Sequence, residues 1–194
     1  MTVPHARLAL ILGAFTAGVL LCFAGLAFLT GPNAQVPRIG GPFRLTDQNG
    51  KVVTDEDLKG KPFLVFFGFT HCPDVCPTTL FDVSEVLKTL GPDADRAGAL
   101  FITVDPERDT ATSLKDYLSS FDPHLRGLTG DPAALAAVAR EYRVYYKKVP
   151  LDDGDYTMDH TAIVYLMDKE GRFVSPFNLK RKPEASAEEL RKYL

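Results

Sequence analysis

A chain of 194 residues with a formal net charge of −3 has the size of one ordinary domain plus an appendage. Hydrophobic residues make up 45% and charged residues 24%, so a sizeable core is affordable, and the slight acidity argues against a nucleic-acid partner. Three cysteines without a tryptophan are too few for a disulfide-built scaffold, so the thiols are expected to do chemistry.

The N-terminal end stands apart. Leu8 to Leu29, LALILGAFTAGVLLCFAGLAFL, is a charge-free run of about 22 residues, enough to cross a bilayer core as one helix. Cleavable signal peptides have a shorter apolar region, about 7–15 residues, before small residues at a cut site. Residues 1–30 are therefore expected to be an uncleaved membrane anchor. Cys22 follows Leu21, where a lipoprotein would carry a small residue, and reads as an apolar side chain in lipid. Arg7 and the amino terminus favour a cytoplasmic N-terminal end, with Arg38 and Arg44 diluting that signal. The rest of the chain then lies outside the cytoplasm. Residues 31–42, GPNAQVPRIGGP, read as a Gly/Pro-rich linker, and residues 43–194 as one domain without repeats.

Within that domain, FRLTDQNGKVVT carries an Asn49-Gly50 turn between alternating residues, a β-hairpin. DEDLKG is a short helical turn ending at Gly60, and PFLVFFGF a central strand buried on both faces. From Thr78 to Leu90, apolar residues at 80, 83, 86, 87 and 90 form a helical stripe. A strand (Ala99 to Val104), a helix (Thr110 to Phe121), a short strand (Leu125 to Leu128) and a helix (Asp131 to Tyr142) follow. VYYKKV, TAIVYLMD and RFVSPF read as strands, the last two joined at Lys169-Glu170-Gly171, and a final helix begins near Ser186. Alternating strands and helices closed by a hairpin predict an α/β sandwich around a mixed sheet. A cysteine pair at the end of the first buried strand points to a thioredoxin-like fold with an N-terminal β-hairpin, preceded by one transmembrane helix.

The chemistry concentrates in THCPDVCPTTL. Cys76 is expected in or beside the first helical turn, where free N–H groups and the helix dipole favour a thiolate and lower its pKa. Pro77 suits that turn because its missing N–H has no helical partner there. Cys72 lies in the loop above. The pair can serve as a reversible disulfide, a two-thiolate metal clamp or a buried structural pair, and the spacing, one residue wider than C-x-x-C, leaves room for an ion.

A metal needs a further ligand. Of four histidines, His5 precedes the membrane segment, His71 should diverge from its neighbour Cys72, and His124 reads as a surface loop residue. His160, directly before the buried strand TAIVYLMD, sits in a loop that would face the cysteine helix, as a ligand or as a structural histidine. Two thiolates and one imidazole suit Cu(I), and with another ligand tolerate Cu(II), whereas zinc prefers four ligands. Asp74 and Asp159 are candidates to orient a ligand or supply a weak fourth one, or are solvated charges. Only Met158 and Met167 fall in the domain, so there is no methionine cluster. Asp105, Arg108 and Asp109 read as capping and pinning the loop before the next helix, with docking as the alternative.

GKPFLVFFGFTHCPDVCPTTL, FITVDPERDT, LTGDPAALAAVAREYRVYYKK and YTMDHTAIVYLMDKEGRF together resemble the Sco/SenC family of copper-binding proteins. Ala111, where that family often has proline, is a small departure. The resemblance implies a membrane-anchored thioredoxin-fold metallochaperone that helps mature the Cu-A site of cytochrome c oxidase, with copper held by Cys72, Cys76 and His160. It implies as partners the oxidase's copper-binding subunit and an upstream copper donor or thiol reductase. It also implies an inner-membrane location with the domain in the periplasm, or in the intermembrane space if mitochondrial.

The competing function is a thiol-disulfide reductase that keeps the oxidase's copper-ligand cysteines reduced, with Cys72 and Cys76 as the redox pair. Copper binding needs His160 and dithiol exchange does not. Thioredoxin-type reductases carry a proline before the late strand, where this chain has Asp159-His160-Thr161, which favours copper. A thiol peroxidase fits poorly: Phe69 and Pro73 stand where a peroxiredoxin threonine would be, and the tryptophan of glutathione-peroxidase-like sites is absent.

Overall fold

The structure is a computed structural model that describes residues 13–23, 25, 38–152 and 154–194. The chain divides into two units, Met1–Pro37 and Arg38–Leu194. In the first, residues 13–23 are helical (α1). The expected span from Leu8 to Leu29 lies partly outside the described residues, as do His5, Arg7 and residues 31–37 of the linker. Among the described residues, no helix is long and apolar enough to cross a membrane.

The second unit holds every described strand. Its hairpin pairs β1 (Arg44–Asp47) with β2 (Val52–Thr54). The turn between them closes on Gly50, whose φ of 79° is open to glycine at no steric cost. The Asp47 carboxylate accepts from the Asn49 and Lys51 N–H groups, both at 2.9 Å, and fixes the loop. The apolar run forms β3 (Phe63–Gly68), buried at all six positions as expected for a strand covered on both faces.

From β3 the chain makes two crossovers. The first runs through α2 (Val75–Leu90) to β4 (Gly98–Thr103), the second through α3 (Ala111–Leu118) to β5 (Leu125–Thr129). Both pairings, β3 with β4 and β4 with β5, are parallel, which such helical crossovers require. Thr110 caps α3 by accepting from the Ser113 N–H, and Asp131 caps α4 (Pro132–Glu141) by accepting from the Ala134 N–H. Helix α2 begins three residues before the expected Thr78, and Leu80, Val83, Leu87 and Leu90 of its stripe are buried.

The C-terminal part differs from expectation. VYYKKV does not join the main sheet. Its residues lie mostly in β6 (Tyr146–Pro150), which pairs antiparallel with β7 (Tyr156–His160), a strand the sequence reading missed. Half-exposed residues alternate poorly there, so the periodic signal is weak. The sheet proper ends with β8 (Val164–Met167) and β9 (Phe173–Pro176), and α5 (Pro183–Arg191) starts at a proline ahead of the expected Ser186. The strand order is β2-β1-β5-β4-β3-β8-β9, with β6-β7 as a separate two-stranded sheet. The mixed sheet is thioredoxin-like, with the N-terminal hairpin added at the β5 edge.

Candidate metal centre

Strand β3 ends at Gly68, and the loop from Phe69 carries Cys72 onto the start of α2. Cys76 is the second residue of α2. Its backbone N–H, one of those left free at a helix start, donates to Cys72 Sγ at 3.4 Å. A sulfur therefore does what an N-cap oxygen does elsewhere, and no side-chain oxygen caps the helix from Asp74. Pro77, third in the helix, has no N–H to leave unpaired.

Both cysteines are free thiols, Cys72 8% exposed and Cys76 fully buried. Burial pushes the Cys76 thiol well above its ordinary value, and the adjacent Cys72 adds to the rise. This corrects the expectation of a thiolate favoured by the helix start: loss of hydration outweighs the dipole at this depth.

Gly68 makes room for the sulfur. A Cβ there would lie 2.6 Å from the Phe101 ring and 2.8 Å from Cys76 Sγ. The sequence reading passed over this glycine, although a glycine closing an apolar strand is itself a sign of close approach.

His160 arrives from the other side. It is the last residue of β7, not a loop residue as expected. Its Nδ1 lies 3.2 Å from the Thr161 carbonyl oxygen, to which it donates, leaving the Nε2 lone pair directed at Cys76 Sγ, 3.6 Å away. Phe69 and Phe66 meet the imidazole edge-on, with centroid distances of 5.8 and 6.2 Å. Burial lowers its pKa, with the Thr161 carbonyl and Asp159 opposing, so the ring is neutral at pH 7 and able to act as a ligand.

One sulfur each from Cys72 and Cys76 and one nitrogen of His160 all lie within 4.8 Å of one another, so the trio could hold a metal ion. The site opens into a cleft of about 310 Å³ bordered by Phe69, Asp74, Met158 and Asp159. Asp74 and Asp159 thus border the site without joining that trio; the Asp74 carboxylate accepts from the Thr78 hydroxyl at 3.5 Å. His71 is exposed and pairs with Thr70, and His124 lies between Asp122 and Asp95, so neither belongs to the trio.

The loop 105–109 is pinned as expected, but the cap expected from its residues is supplied instead by Thr110. Asp109, fully buried, accepts from the Thr70 N–H at 3.0 Å and from the Thr70 and Thr103 hydroxyls, both at 2.6 Å. Arg108 donates from Nε to Asp105 at 2.5 Å and from Nη1 to the Tyr156 carbonyl at 3.0 Å. Tyr156 belongs to the strand that the sequence reading missed.

Known proteins share this architecture. The SCO1/SenC family model matches residues 31–194. The chain is 44% identical over 153 residues to the mitochondrial SCO1 homolog 1 of Arabidopsis thaliana, covering 77% of this chain and 45% of that protein. It is 41% identical over 156 residues to the SCO2-like protein RC0895 of Rickettsia conorii, covering 79% and 76% respectively. The chain thus spans less than half of the plant relative and about three quarters of the bacterial one. The structure of Bradyrhizobium japonicum ScoI with copper bound superposes with a TM-score of 0.79 at 70% identity, covering 80% of this chain and 99% of that one. A two-thiol, one-imidazole cluster on a thioredoxin-like sheet, in a sequence matched over residues 31–194, makes this chain a member of the SCO1/SenC family.

Proposed function

We propose that this chain is a copper metallochaperone of cytochrome c oxidase assembly, holding the metal through Cys72, Cys76 and His160. The observation that carries the reading is the approach of His160 Nε2 to Cys76 Sγ, 3.6 Å away, with Cys72 Sγ in the same cluster. Dithiol exchange does not require an imidazole at the sulfurs, although one can serve as a base there. A soft Cu(I) uses it directly, because two thiolates and one imidazole complete a trigonal shell. The copper-bound ScoI relative supports the same assignment.

Copper is cargo here. Loading displaces the thiol protons, which matters most for the buried Cys76, and unloading is ligand exchange. Cysteines of the oxidase's copper-binding subunit enter through the cleft at Cys72 and replace the three ligands stepwise. The long apolar run at residues 8–29 supports anchoring in the inner membrane, with the domain facing the periplasm or the intermembrane space. An upstream copper donor or thiol reductase then acts on the same face.

Thiol-disulfide exchange by Cys72 and Cys76 is the second reading, favoured by the free cysteine pair at the start of α2. The buried Cys76 thiol, with its raised pKa, is a poor attacking group, so Cys72 would have to initiate. One variant separates the readings. In cells assembling the oxidase at limiting copper, His160→Ala should abolish metallation of the Cu-A site while protein level and thiol state stay normal. A fully metallated oxidase in that strain would overturn the chaperone reading in favour of thiol exchange.

A further inference from the structure

The β6–β7 hairpin pairs with no strand of the main sheet, yet it carries His160. Something other than the sheet ladder must fix where the imidazole stands. At its root the hairpin is closed by Tyr145 and Thr161: the Thr161 N–H donates to the Tyr145 carbonyl at 2.9 Å. At its far end, Tyr156 opens β7. Tyr156 and His160 are four residues apart on one strand and face the same side, roughly 13 Å from each other.

Tyr156 is gripped by the loop after β4. Its hydroxyl donates to Asp105 Oδ1 at 2.9 Å. The other oxygen of that carboxylate, which is 2% exposed as a residue, takes the Arg108 Nε–H. Arg108 in turn lies over the phenol, its Cζ 3.7 Å from the ring centroid, and reaches the Tyr156 carbonyl and the Asp155 carboxylate through Nη1. The same guanidinium is 5.9 Å from the Phe69 ring, whose edge-on partner is His160. Arg108 Nη2 is buried with no hydrogen-bond partner among the described residues. Seated over the Tyr156 ring and within reach of Phe69, the guanidinium links the hairpin to the ring that meets His160.

The loop also reaches the cysteine half. Asp109 holds Thr70, two residues before Cys72, by its N–H and its hydroxyl. A five-residue stretch, Asp105 to Asp109, therefore fastens both the strand bearing the imidazole and the loop bearing the first sulfur.

We propose that Arg108, held by Asp105 and seated on Tyr156, is a positioning residue that sets the approach of His160 to the two sulfurs. It touches neither metal nor sulfur. The proposal rests on the copper-site reading above, and its test keeps the two apart.

The experiment loads the full chain with Cu(I) against a competing chelator and with Cu(II) for electron paramagnetic resonance. It compares the parent, Arg108→Met, Tyr156→Phe and His160→Ala proteins, with Arg108→Met also placed in the His160→Ala background. Arg108→Met should lower Cu(I) affinity about tenfold, at the low end for outer-shell partners of a metal ligand, and should weaken the nitrogen hyperfine signal. Tyr156→Phe, which deletes one hydroxyl and keeps the ring, should shift both readouts in the same direction by less. With His160 already removed, Arg108→Met should cost nothing further, because its effect passes through that imidazole. Equal losses with and without His160 would overturn the proposal in favour of general loosening. So would parent-like affinity and hyperfine coupling in Arg108→Met while His160→Ala is impaired, with the copper site left standing. Parent-like copper binding in His160→Ala itself would overturn both.

Discussion

Cys72 and Cys76 hang from a strand buried along its whole length and from the first turn of the helix that follows it, whereas His160 comes from a half-exposed hairpin outside the main sheet. The cysteine half is positioned by apolar packing. Phe66, Phe67 and Phe69 are each no more than 2% exposed, and Gly68 leaves the space that the Cys76 sulfur and the Phe101 ring both border. The histidine half is positioned by polar and ring contacts: Thr161 at its root, Arg108 and Asp105 at Tyr156, and the Phe69 edge at the imidazole itself. Dense packing resists displacement and is costly to disturb, while a few hydrogen bonds can open without unfolding the core. The two halves of the trio are thus held by different forces, the sulfurs by packing and the imidazole by a small set of polar and ring contacts.

The comparison can be broken hardest at Cys76. Cys76→Ser should abolish tight Cu(I) binding, because a hydroxyl is a poor soft ligand. It should also destabilise the fold by about 1–3 kcal/mol, since a polar group replaces a fully buried thiol. Chelator competition and urea unfolding measure the two effects, and near-parent copper stoichiometry would remove the dithiolate from the account.

Gly68→Ala comes next. The new Cβ meets the Phe101 ring and Cys76 Sγ inside van der Waals distance, and overpacking of this kind costs about 1–3 kcal/mol. Copper affinity should fall with stability here, in contrast to the hairpin, where the two should separate. A Gly68→Ala protein with unchanged melting temperature and copper affinity would mean that the sulfur is not held by packing.

Thr161→Val acts on the hairpin root, where the threonine hydroxyl accepts from the Tyr145 N–H at 3.1 Å. Amides of β6 and β7 should exchange faster with solvent, while those of β3 and β4 keep their protection and global stability changes by less than about 1 kcal/mol. Uniform loss of protection across all strands would contradict a separately opening hairpin.

The smallest effect lies away from both halves. Bonds to Asp122 and then Asp95 raise the His124 pKa above its ordinary 6.5. A raised folded pKa means that the stabilisation is complete below about pH 6.5 and fades as pH climbs through the folded value. Parent and His124→Gln should therefore differ most in melting temperature near pH 5.5 and draw together as the pH rises through the folded value, with copper affinity the same in both. A gap that widens with pH would reverse the sign of this coupling.

The same division governs what the amino-acid sequence discloses. Strand β3, the α2 stripe and the cysteine pair at their junction were legible, because apolar packing writes a periodic pattern into FLVFFG and into Leu80, Val83 and Leu87. Strand β7 was not. Its residues are half-buried or exposed, its neighbours across the hairpin include Lys147 and Lys148, and no alternation marks it. His160 was placed near the site by chain order while its strand went unseen. The Cys76 thiol was misjudged because a helix start is visible in sequence and depth of burial is not. Arg108 was expected to pin a loop; its reach to Tyr156, 48 residues away, depends on tertiary contact alone.

X-ray absorption at the copper edge of the Cu(I)-loaded full chain tests the central claim most directly. The account predicts a first shell of two sulfurs and one imidazole nitrogen in the parent protein, and two sulfurs without the imidazole in His160→Ala. An imidazole contribution that survives in His160→Ala, or a parent shell made of sulfur alone, would contradict a site assembled from the buried cysteine pair and the hairpin histidine.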